Sequence, residues 1–388
     1  MLANAVIVHG GAPTAVINAS LYGAVSEARL SGKIGHFYAA LGGTSGLMGE
    51  CFADLFQVSP AKLELLPSTP SSAIGTSRTP LEEEDYARIA RVLKKHDIHY
   101  AFFTGGNGTM DACGKTYAAC RQIGFETQVV GIPKTIDNDI AVTDHAPGFG
   151  SAARYIAASV SEVHQDIRGL PIHVSVLETM GRNAGWIAAA SALARTGSGD
   201  GPDLIYFPER PFDEEAFLSE IESLWKMKKG ILVVVSEGLK KADGSPIVPP
   251  IFQVGRAVYY GDVSAHLANL VIQKLGIKAR SEKPGLCGRA SIAFQSETDR
   301  EEAILAGREA VRAALAGETG IMIGFERVSG PEYGIRPIHI PVDHVMLGER
   351  ILPDEFISAS GTDVTASFVD WCRPLIGGPL REFFALRT

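Results

Sequence analysis

The sequence predicts an α/β protein of two lobes with mainly parallel sheets. Short apolar runs, such as residues 5–9 and 128–132, alternate with helix-like stretches, such as residues 110–121. Several of these runs end directly in a glycine turn or a polar cluster. Strands that alternate with helices in this way form parallel sheets with helices packed on both faces.

Hydrophobic periodicity assigns the elements along the chain. For the first lobe we predict strands at residues 5–9, 37–41, 100–103 and 128–132, a turn at 42–46, and helices at 15–31, 82–96 and 110–121. A helix at about 151–165 leads into the second lobe, with strands at 172–177, 204–207 and 230–236 and a helix at 183–194. A strand at 321–325 and a last helix near 364–371 follow.

Length and composition exclude several classes of protein. The 388 residues allow two to three domains. No apolar stretch approaches the roughly 20 residues of a membrane span, and the first residues do not resemble a signal peptide. Five cysteines without metal-ligand spacing suit reduced thiols, so we expect a cytoplasmic protein with no membrane partner. The net charge of −8 argues against nucleic acid, and an anionic substrate needs local cations.

Two motifs follow consecutive predicted strands. Residues 105–109 read Gly-Gly-Asn-Gly-Thr between a strand and a helix, an arrangement whose backbone N–H groups and helix dipole receive a phosphate. Residues 133–139 read Pro-Lys-Thr-Ile-Asp-Asn-Asp directly after the next strand. Gly10 and Gly11 end the first strand in the same way. Ligands of open parallel sheets bind at this edge, so we expect these turns to share a site.

The residue types in the second motif suit phosphoryl transfer. That reaction needs a base for the attacking hydroxyl, a cation for the phosphoryl oxygens and a metal ligand. Asp137, Lys134 and Asp139 have these properties within one turn of chain. Asx-rich turns also cap helices after strands, and from these residues alone both interpretations stay open.

Together with Met180-Gly181-Arg182, the two motifs resemble those of the phosphofructokinase family, over residues 10 to about 307. In that family the first motif reads Gly-Gly-Asp-Gly-Ser or Gly-Gly-Asp-Asp-Ser, and the second Pro-Gly/Lys-Thr-Ile-Asp-Asn-Asp. The resemblance implies two Rossmann-like lobes with an active site in the cleft between them. We expect residues 1–147 plus about 288–330 to bind the donor and metal, and 148–287 the sugar phosphate. Residues 331–388 are expected to form a C-terminal extension that packs across the lobes.

The resemblance implies roles for residues of the first lobe. We therefore expect Asp137 to be the general base and Lys134 and Arg182 to assist catalysis as cations. Asn107 and Asp139 are expected to bind Mg²⁺. Many members carry aspartate in place of Asn107, whereas some short members of the diphosphate type have asparagine. The residues that match the family's donor site are Gly10, Gly11, Arg78, Gly106, Gly108 and Thr109.

The acceptor implied by the resemblance is fructose 6-phosphate. The residues that match the family's acceptor ligands are Thr135, Asp137, Met180, Gly181, Arg182, Glu209, Arg280 and Arg289. Arg280 and Arg289 match the arginines that bind the 6-phosphate. His173 is included as a further candidate ligand. His173 stands where bacterial ATP-dependent members have an arginine, and Leu286 replaces a histidine. In bacterial members the arginine matching Arg280 comes from a neighbouring subunit, which implies a homodimer or homotetramer.

Two residues point to different phosphoryl donors. Diphosphate-using members share Lys134, where bacterial ATP-using members have glycine. Gly108 favours ATP as the donor. Diphosphate enzymes of the family usually carry an aspartate at this position, and its side chain fills the space that the α-phosphate of ATP would occupy. Residues 79–82 lack the aromatic and basic residues that bacterial ATP enzymes place around the nucleotide. The chain therefore resembles short-chain diphosphate-dependent 6-phosphofructokinases most, with ATP as the alternative donor.

Three other interpretations belong to different classes. The glycine turn also occurs in NAD kinases and lipid kinases, although the other two motifs argue against them. A regulatory binding protein with weak catalysis is a second alternative, which the presence of Asp137 and Asp139 disfavours. A family kinase for another sugar or polyol is the third, because His173 and Leu286 depart from the acceptor pattern.

Overall fold

The computed structural model describes residues 2–197, 200–254, 257–330, 332–346 and 348–384. The chain divides into two compact units. Unit 1 comprises Met1–Ser151 and Arg289–Arg350, and unit 2 comprises Ala152–Gly288 and Ile351–Thr388.

Strands and helices alternate along most of the described chain. The strands are β1 (Asn4–His9), β2 (Phe37–Ala40), β3 (Phe52–Asp54), β4 (Ile98–Gly105), β5 (Gln128–Pro133), β6 (Val174–Thr179), β7 (Leu204–Tyr206), β8 (Ile231–Ser236), β9 (Pro250–Val254), β10 (Ala257–Tyr260), β11 (Ala279–Glu282), β12 (Ile321–Arg327) and β13 (Ile335–Pro341). The α-helices are α1 (Ile17–Ser31), α2 (Gly43–Met48), α3 (Pro60–Leu63), α4 (Glu83–Lys95), α5 (Asn107–Gln122), α6 (Phe149–Gly169), α7 (Trp186–Ala190), α8 (Glu214–Met227), α9 (Val263–Leu275), α10 (Cys287–Ala290), α11 (Glu297–Leu315) and α12 (Ala366–Cys372).

Unit 1 is built on a seven-stranded sheet in the order β13-β12-β5-β4-β1-β2-β3. The five central strands pair in parallel, and β3 and β13 add antiparallel edges. Alternate side chains of β1 enter two different cores: Val6 and Val8 pack with residues of α4 and α5, and Ala5 and Ile7 with residues of α1 and α11. A strand buried on both faces explains the continuous apolar runs of the sequence.

Unit 2 has a four-stranded parallel sheet in the order β11-β6-β8-β7, and β9 and β10 form a separate antiparallel hairpin. The predicted fold class, α/β with mainly parallel sheets, is confirmed. No helix among the described residues has the length and apolarity that a membrane crossing requires.

The structure corrects two local predictions. The helix predicted at residues 183–194 starts at Trp186 and ends as a 3₁₀ turn at Ser191–Ala194, because tertiary contacts hold residues 182–185 as a loop. The turn predicted at 42–46 is the start of α2, with Gly42 and Gly43 in the left-handed region. Within residues 331–388, β13 pairs with β12 in the sheet of unit 1, and the chain from Ile351 belongs to unit 2. The role expected for these residues, packing across the lobes, stays a prediction.

Candidate active site

Three turns of unit 1 meet at the carboxyl ends of neighbouring strands. β4 lies between β1 and β5, with His9 opposite Thr104 and Gly105 opposite Pro133. The turn after β1, the glycine turn after β4 and the loop 133–139 after β5 therefore leave the same edge of the sheet. The backbone N–H of Lys134 donates a 3.0 Å hydrogen bond to the carbonyl oxygen of Gly105, which joins two of them directly.

Thr109 fills the space between the two glycine turns. A Cβ atom on Gly10 or on Gly105 would overlap with the hydroxyl oxygen of Thr109, so glycine is required at both positions. Gly108 has the opposite surroundings: it is exposed, and an added Cβ would meet no atom within 4 Å. It belongs to the first turn of α5, where free N–H groups and the helix dipole favour an anion.

Lys134 places a buried ammonium group beneath the turn after β1. Lys134 is only 4% exposed, and its Nζ atom donates a 2.5 Å hydrogen bond to the carbonyl oxygen of Ala12. Burial lowers the pKa of Lys134 to about 8; the charges of Asp137 and Asp139 oppose that shift, and those of Arg78 and Arg289 add to it. The group is still mainly protonated at neutral pH.

The loop 133–139 is held by its own hydrogen bonds. Thr135 Oγ1 accepts a 3.0 Å bond from the backbone N–H of Asp137 and donates a 2.9 Å bond to Asp139 Oδ1. Asn138 has φ of +52°, a conformation that asparagine tolerates better than most residues, and its Oδ1 accepts from Ala146 N. Asp137 is half-buried between these fixed neighbours.

The charge of Asp137 acts on two cationic side chains, those of Lys134 and Arg289. Burial lowers the pKa of Arg289, the nearby charge of Arg78 lowers it further, and Asp137 has the opposite effect. Arg78 follows Ser77, whose carbonyl oxygen accepts a 3.0 Å bond from Gly11 N. Lys134, Arg78 and Arg289 thus supply, within unit 1, the positive charge that an anionic substrate cannot obtain from a chain of net charge −8.

Asn107 and Asp139 fit a magnesium site. The Nδ2 group of Asn107 donates to the backbone oxygen of Asp139 at 3.2 Å and to its Oδ2 at 3.1 Å. The Oδ1 atom of Asn107 is buried and has no hydrogen-bond partner among the described residues, which leaves a hard oxygen donor available. Mg²⁺ uses one or two carboxylates and takes its remaining ligands from water and substrate phosphates. Over the same residues no group of three or more His, Cys, Asp or Glu side chains forms a denser metal site.

In unit 2, Arg182 lies in a loop between β6 and α7. Gly181 has φ of +112°, and its carbonyl oxygen accepts a 2.6 Å bond from Ser236 Oγ. The Arg182 guanidinium stacks over the ring of Tyr260, with Cζ 5.2 Å from the ring centroid. Arg182 and Tyr260 line a cavity of about 200 Å³ together with Asn183, Glu237, Gly238, Leu239, Lys240, Gly244, Pro246, Val248 and Val263.

Glu237 is a candidate residue that the sequence analysis missed. It shares this cavity with Arg182; burial raises the pKa of its carboxyl group, and the charge of Arg182 acts against that rise. A signal was present in the sequence, because Glu237 directly follows β8, and β8 pairs in parallel with β6. Its carboxylate therefore leaves the sheet at the edge where the Arg182 loop begins.

Glu209 accepts two backbone hydrogen bonds. Its Oε1 atom is 2.8 Å from Gly185 N and 2.8 Å from Leu352 N. Its Oε2 atom is buried without a hydrogen-bond partner among the described residues, and burial raises the pKa of the carboxyl group. Glu209 is not one of the described residues that line the cavity around Arg182.

Arg280 and His173 are neighbours at the edge of the unit 2 sheet. Arg280 is exposed on the edge strand β11, opposite Ser175 of β6. His173 is buried, and burial lowers its pKa, with a further contribution from the charge of Arg280. Met180 is half-buried at the end of β6, and Leu286 is 63% exposed.

Comparison with known proteins identifies the family. The model of the family described as Phosphofructokinase matches residues 4–314. This chain belongs to the phosphofructokinase family. It is 37% identical to a pyrophosphate–fructose 6-phosphate 1-phosphotransferase of Rhodospirillum rubrum, over 98% of this chain and 96% of that protein. A sulfofructose kinase of Alkalicoccus urumqiensis is 33% identical over 95% of this chain and 94% of its own length.

Solved phosphofructokinase structures share the fold. A pyrophosphate-dependent phosphofructokinase of Nitrosospira multiformis superposes with a TM-score of 0.90 and 36% identity, covering 99% of this chain and 94% of that one. The predicted family membership is therefore confirmed, including the likeness to diphosphate-dependent members. The catalytic and binding roles given above to individual residues stay predictions.

Proposed function

We propose that this chain transfers the terminal phosphoryl group of diphosphate to the 1-hydroxyl of fructose 6-phosphate, giving fructose 1,6-bisphosphate and phosphate. The observation that carries this proposal is the buried ammonium of Lys134, held against the turn after β1. A fixed cation there neutralises a compact donor that has no nucleoside to bind. Near full-length relatives named as pyrophosphate–fructose 6-phosphate 1-phosphotransferases support the same function.

The residues of unit 1 supply the chemistry at the phosphoryl group. Asp137 takes the proton of the sugar hydroxyl, whose oxygen bonds to the terminal phosphorus while the bond to the bridging oxygen breaks. Lys134 and Arg78 offset the negative charge of the phosphoryl oxygens and of the leaving phosphate. The backbone N–H groups at the turns hold the donor, at Gly10, Gly11, Gly106, Gly108 and Thr109.

Magnesium is the proposed cofactor. When bound, it would be held by Asn107 Oδ1 and the Asp139 carboxylate and would neutralise phosphate charge. Asn107 and Thr135 also keep Asp139 in one orientation through hydrogen bonds to its two carboxylate oxygens, at 3.1 and 2.9 Å.

The residues of unit 2 are proposed to bind the sugar phosphate. Arg182 supplies a cation that Tyr260 holds in place, and Glu237 accepts hydrogen bonds from sugar hydroxyls in the same cavity. Arginine suits phosphate because its planar N–H groups bind two oxygens at once. Met180, Gly181, His173 and Arg280 are further proposed ligands in unit 2, and Thr135 and Arg289 are proposed ligands in unit 1. Glu209, which lies outside the lining of the cavity around Arg182, is proposed to act through its hydrogen bond to Gly185 N.

A donor assay tests the function. Phosphorylation of fructose 6-phosphate is measured with diphosphate and with ATP at equal Mg²⁺, and diphosphate should be strongly preferred. Gly108→Asp provides a sharper version, because the position is open and an aspartate in the first turn of a helix is favourable by about 0.3–1 kcal/mol. The variant should keep diphosphate activity and lose any use of ATP. A clear preference of the unchanged protein for ATP would contradict the proposal.

A second acceptor is kept as a candidate. The sulfofructose kinase relative covers nearly the whole chain, and Leu286 is an exposed apolar residue where the family pattern has a histidine. Sulfofructose and fructose 6-phosphate are therefore compared as acceptors with each donor. A higher kcat/KM for sulfofructose would replace the acceptor in the proposal and leave the roles of Lys134 and Asp137 unchanged.

Assembly and location complete the proposal. A homodimer or homotetramer is proposed because the arginine matching Arg280 acts across subunits in bacterial relatives, and Arg280 is exposed on an edge strand. A cytoplasmic location and the absence of a nucleic-acid or membrane partner rest on the composition, including an odd number of cysteines and a net charge of −8.

A further inference from the structure

The loop that carries Arg182 is short and is held at both ends. At its start, Ser236 Oγ donates to the carbonyl oxygen of Gly181, and a Cβ on Gly238 would overlap with the carbonyl oxygen of Arg182. At its end, four residues after Arg182, the buried side chain of Trp186 begins helix α7. The position of Trp186 therefore limits where the loop can place Arg182.

Trp186 is surrounded by aromatic rings from the end of the chain. The ring centroids of Trp371, Phe356 and Phe368 lie 5.0, 6.0 and 6.4 Å from that of Trp186. The three rings also pack on one another at 5.6–5.9 Å. Such aromatic pairs contribute about 0.5–1.5 kcal/mol each beyond the area that they bury. We call residues 351–376, which contain these three rings, the C-terminal segment.

Glu209 makes a second connection between the loop and the C-terminal segment. One carboxylate oxygen, Oε1, accepts from Gly185 N in the loop and from Leu352 N in the segment, both at 2.8 Å. Because backbone N–H groups left unpaired in a buried place each cost about 1–3 kcal/mol, this oxygen ties the two pieces of chain together.

The C-terminal segment is hydrogen-bonded to the earlier part of unit 2, residues 152–288. The carbonyl oxygen of Thr362 accepts a 2.8 Å bond from Ile205 N of β7. Arg195 pairs with both carboxylate oxygens of Asp363, at 2.8 and 3.1 Å. Arg154 donates a 2.7 Å bond to the carbonyl oxygen of Ile376. These bonds attach the segment to the rest of unit 2 at Thr362, Asp363 and Ile376.

We propose that the C-terminal segment positions the Arg182 loop for sugar-phosphate binding, with Glu209 and Trp186 as the positioning residues through which it acts. This inference rests on the proposed function of Arg182 as a ligand of the sugar phosphate. It gives the segment a role in recognition of the acceptor and none in recognition of the donor.

The first test removes a ring from the segment. Trp371→Leu should speed hydrogen–deuterium exchange over residues 180–186 in the substrate-free protein. It should raise the KM for fructose 6-phosphate by about tenfold, since a displacement of about 1 Å in a positioning group costs up to about 10²-fold. The KM for diphosphate should change less than twofold.

Trp225→Leu is the matched control. Trp225 lies in α8, where its ring contacts Lys229, and it is only half-buried. This variant should leave both the exchange over residues 180–186 and the KM for fructose 6-phosphate as in the unchanged protein. Equal effects of the two tryptophan variants would overturn the proposal, because they would reflect general loosening of unit 2.

The second test separates positioning from direct binding at Glu209. Glu209→Ala should speed exchange of the Gly185 and Leu352 amides and raise the KM for the sugar phosphate. Glu209→Gln keeps an acceptor oxygen and should restore slow exchange and most of the affinity. If the glutamine variant loses affinity as fully as the alanine variant while exchange stays slow, Glu209 is a direct ligand and the positioning role is wrong.

The exchange measurements need no turnover. Should the unchanged protein fail to phosphorylate fructose 6-phosphate, the proposed function fails, whereas faster exchange over residues 180–186 in Trp371→Leu and Glu209→Ala would still support the positioning role. Exchange unchanged in both variants would overturn that role whatever the substrate proves to be.

Discussion

The ammonium group of Lys134 donates a 2.5 Å hydrogen bond to the carbonyl oxygen of Ala12, 122 residues earlier in the chain. The bond connects the loop after β5 to the turn after β1, and β4 with its own glycine turn lies between these strands. One cation thereby reaches across three consecutive turns at the same edge of the sheet. Gly11 lies close to it, since a Cβ added there would be 3.5 Å from Nζ.

The charge of Lys134 predicts how activity depends on pH. Its pKa is about 8 in place of 10.5, so the protonated fraction falls as pH rises through about 8. We expect kcat/KM for diphosphate to decline over that range, because this ratio reports the ionisation of the free enzyme. Lys134→Ala should lower kcat/KM and remove the decline. If kcat/KM still declines over this pH range in the alanine variant, the ionisation of another group causes the decline.

The same shift affects stability. Between pH 8 and 10.5 the unfolded chain binds more protons at Lys134 than the folded chain does, so this group makes the free energy of unfolding increase with pH across that window. Urea unfolding of the unchanged protein and of Lys134→Met at several pH values measures the contribution, which should be absent from the variant.

Asp137→Asn tests the general base. The amide cannot take the proton of the sugar hydroxyl, and loss of a general base lowers the rate by about 10²–10⁴-fold. Binding of fructose 6-phosphate, measured by calorimetry without donor, should stay within about threefold of the unchanged protein, well below that range. A variant that keeps more than about a tenth of kcat, on the same scale, would exclude Asp137 as the base.

Asn107→Asp tests the metal site. The amide of Asn107 donates a hydrogen bond to the Asp139 carboxylate, and its Oδ1 has no partner among the described residues. An aspartate would replace this donor by a second carboxylate and would attract a hard cation more strongly. The Mg²⁺ concentration for half-maximal activity should fall. Identical Mg²⁺ titrations for both forms would remove Asn107 from the metal site.

Arg280→Ala tests a site completed by a second subunit. The change removes a charge-assisted hydrogen bond of about 1.5–3 kcal/mol, so the KM for the sugar phosphate should rise by roughly tenfold or more, and that for diphosphate much less. Mixing Arg280→Ala with Asp137→Asn subunits should restore part of the activity in hybrid oligomers. If mixtures made by co-expression stay as inactive as the separate variants, Arg280 does not act across subunits.

The sequence by itself determined the alternation of strands and helices and the positions of the glycine turns. These features are local: an apolar run long enough for a buried strand, followed by glycines or by residues 133–139, specifies a strand end and its turn. Parallel pairing then brings such ends to one edge of a sheet, which is why the sequence alone predicts that Asp137, Lys134 and the glycine turns lie at the same edge.

Only the tertiary structure decided how these residues are held. The strands β3 and β11 have only three and four residues, and β13 contains two prolines, so the sequence analysis missed them. All three are held in place by their sheet partners. The contacts of Glu209 with Gly185 and Leu352 span 24 and 143 residues, and Glu237 meets Arg182 only through the pairing of β8 with β6. Contacts between residues so far apart leave no periodic signal in a sequence, because packing and not local preference brings them together.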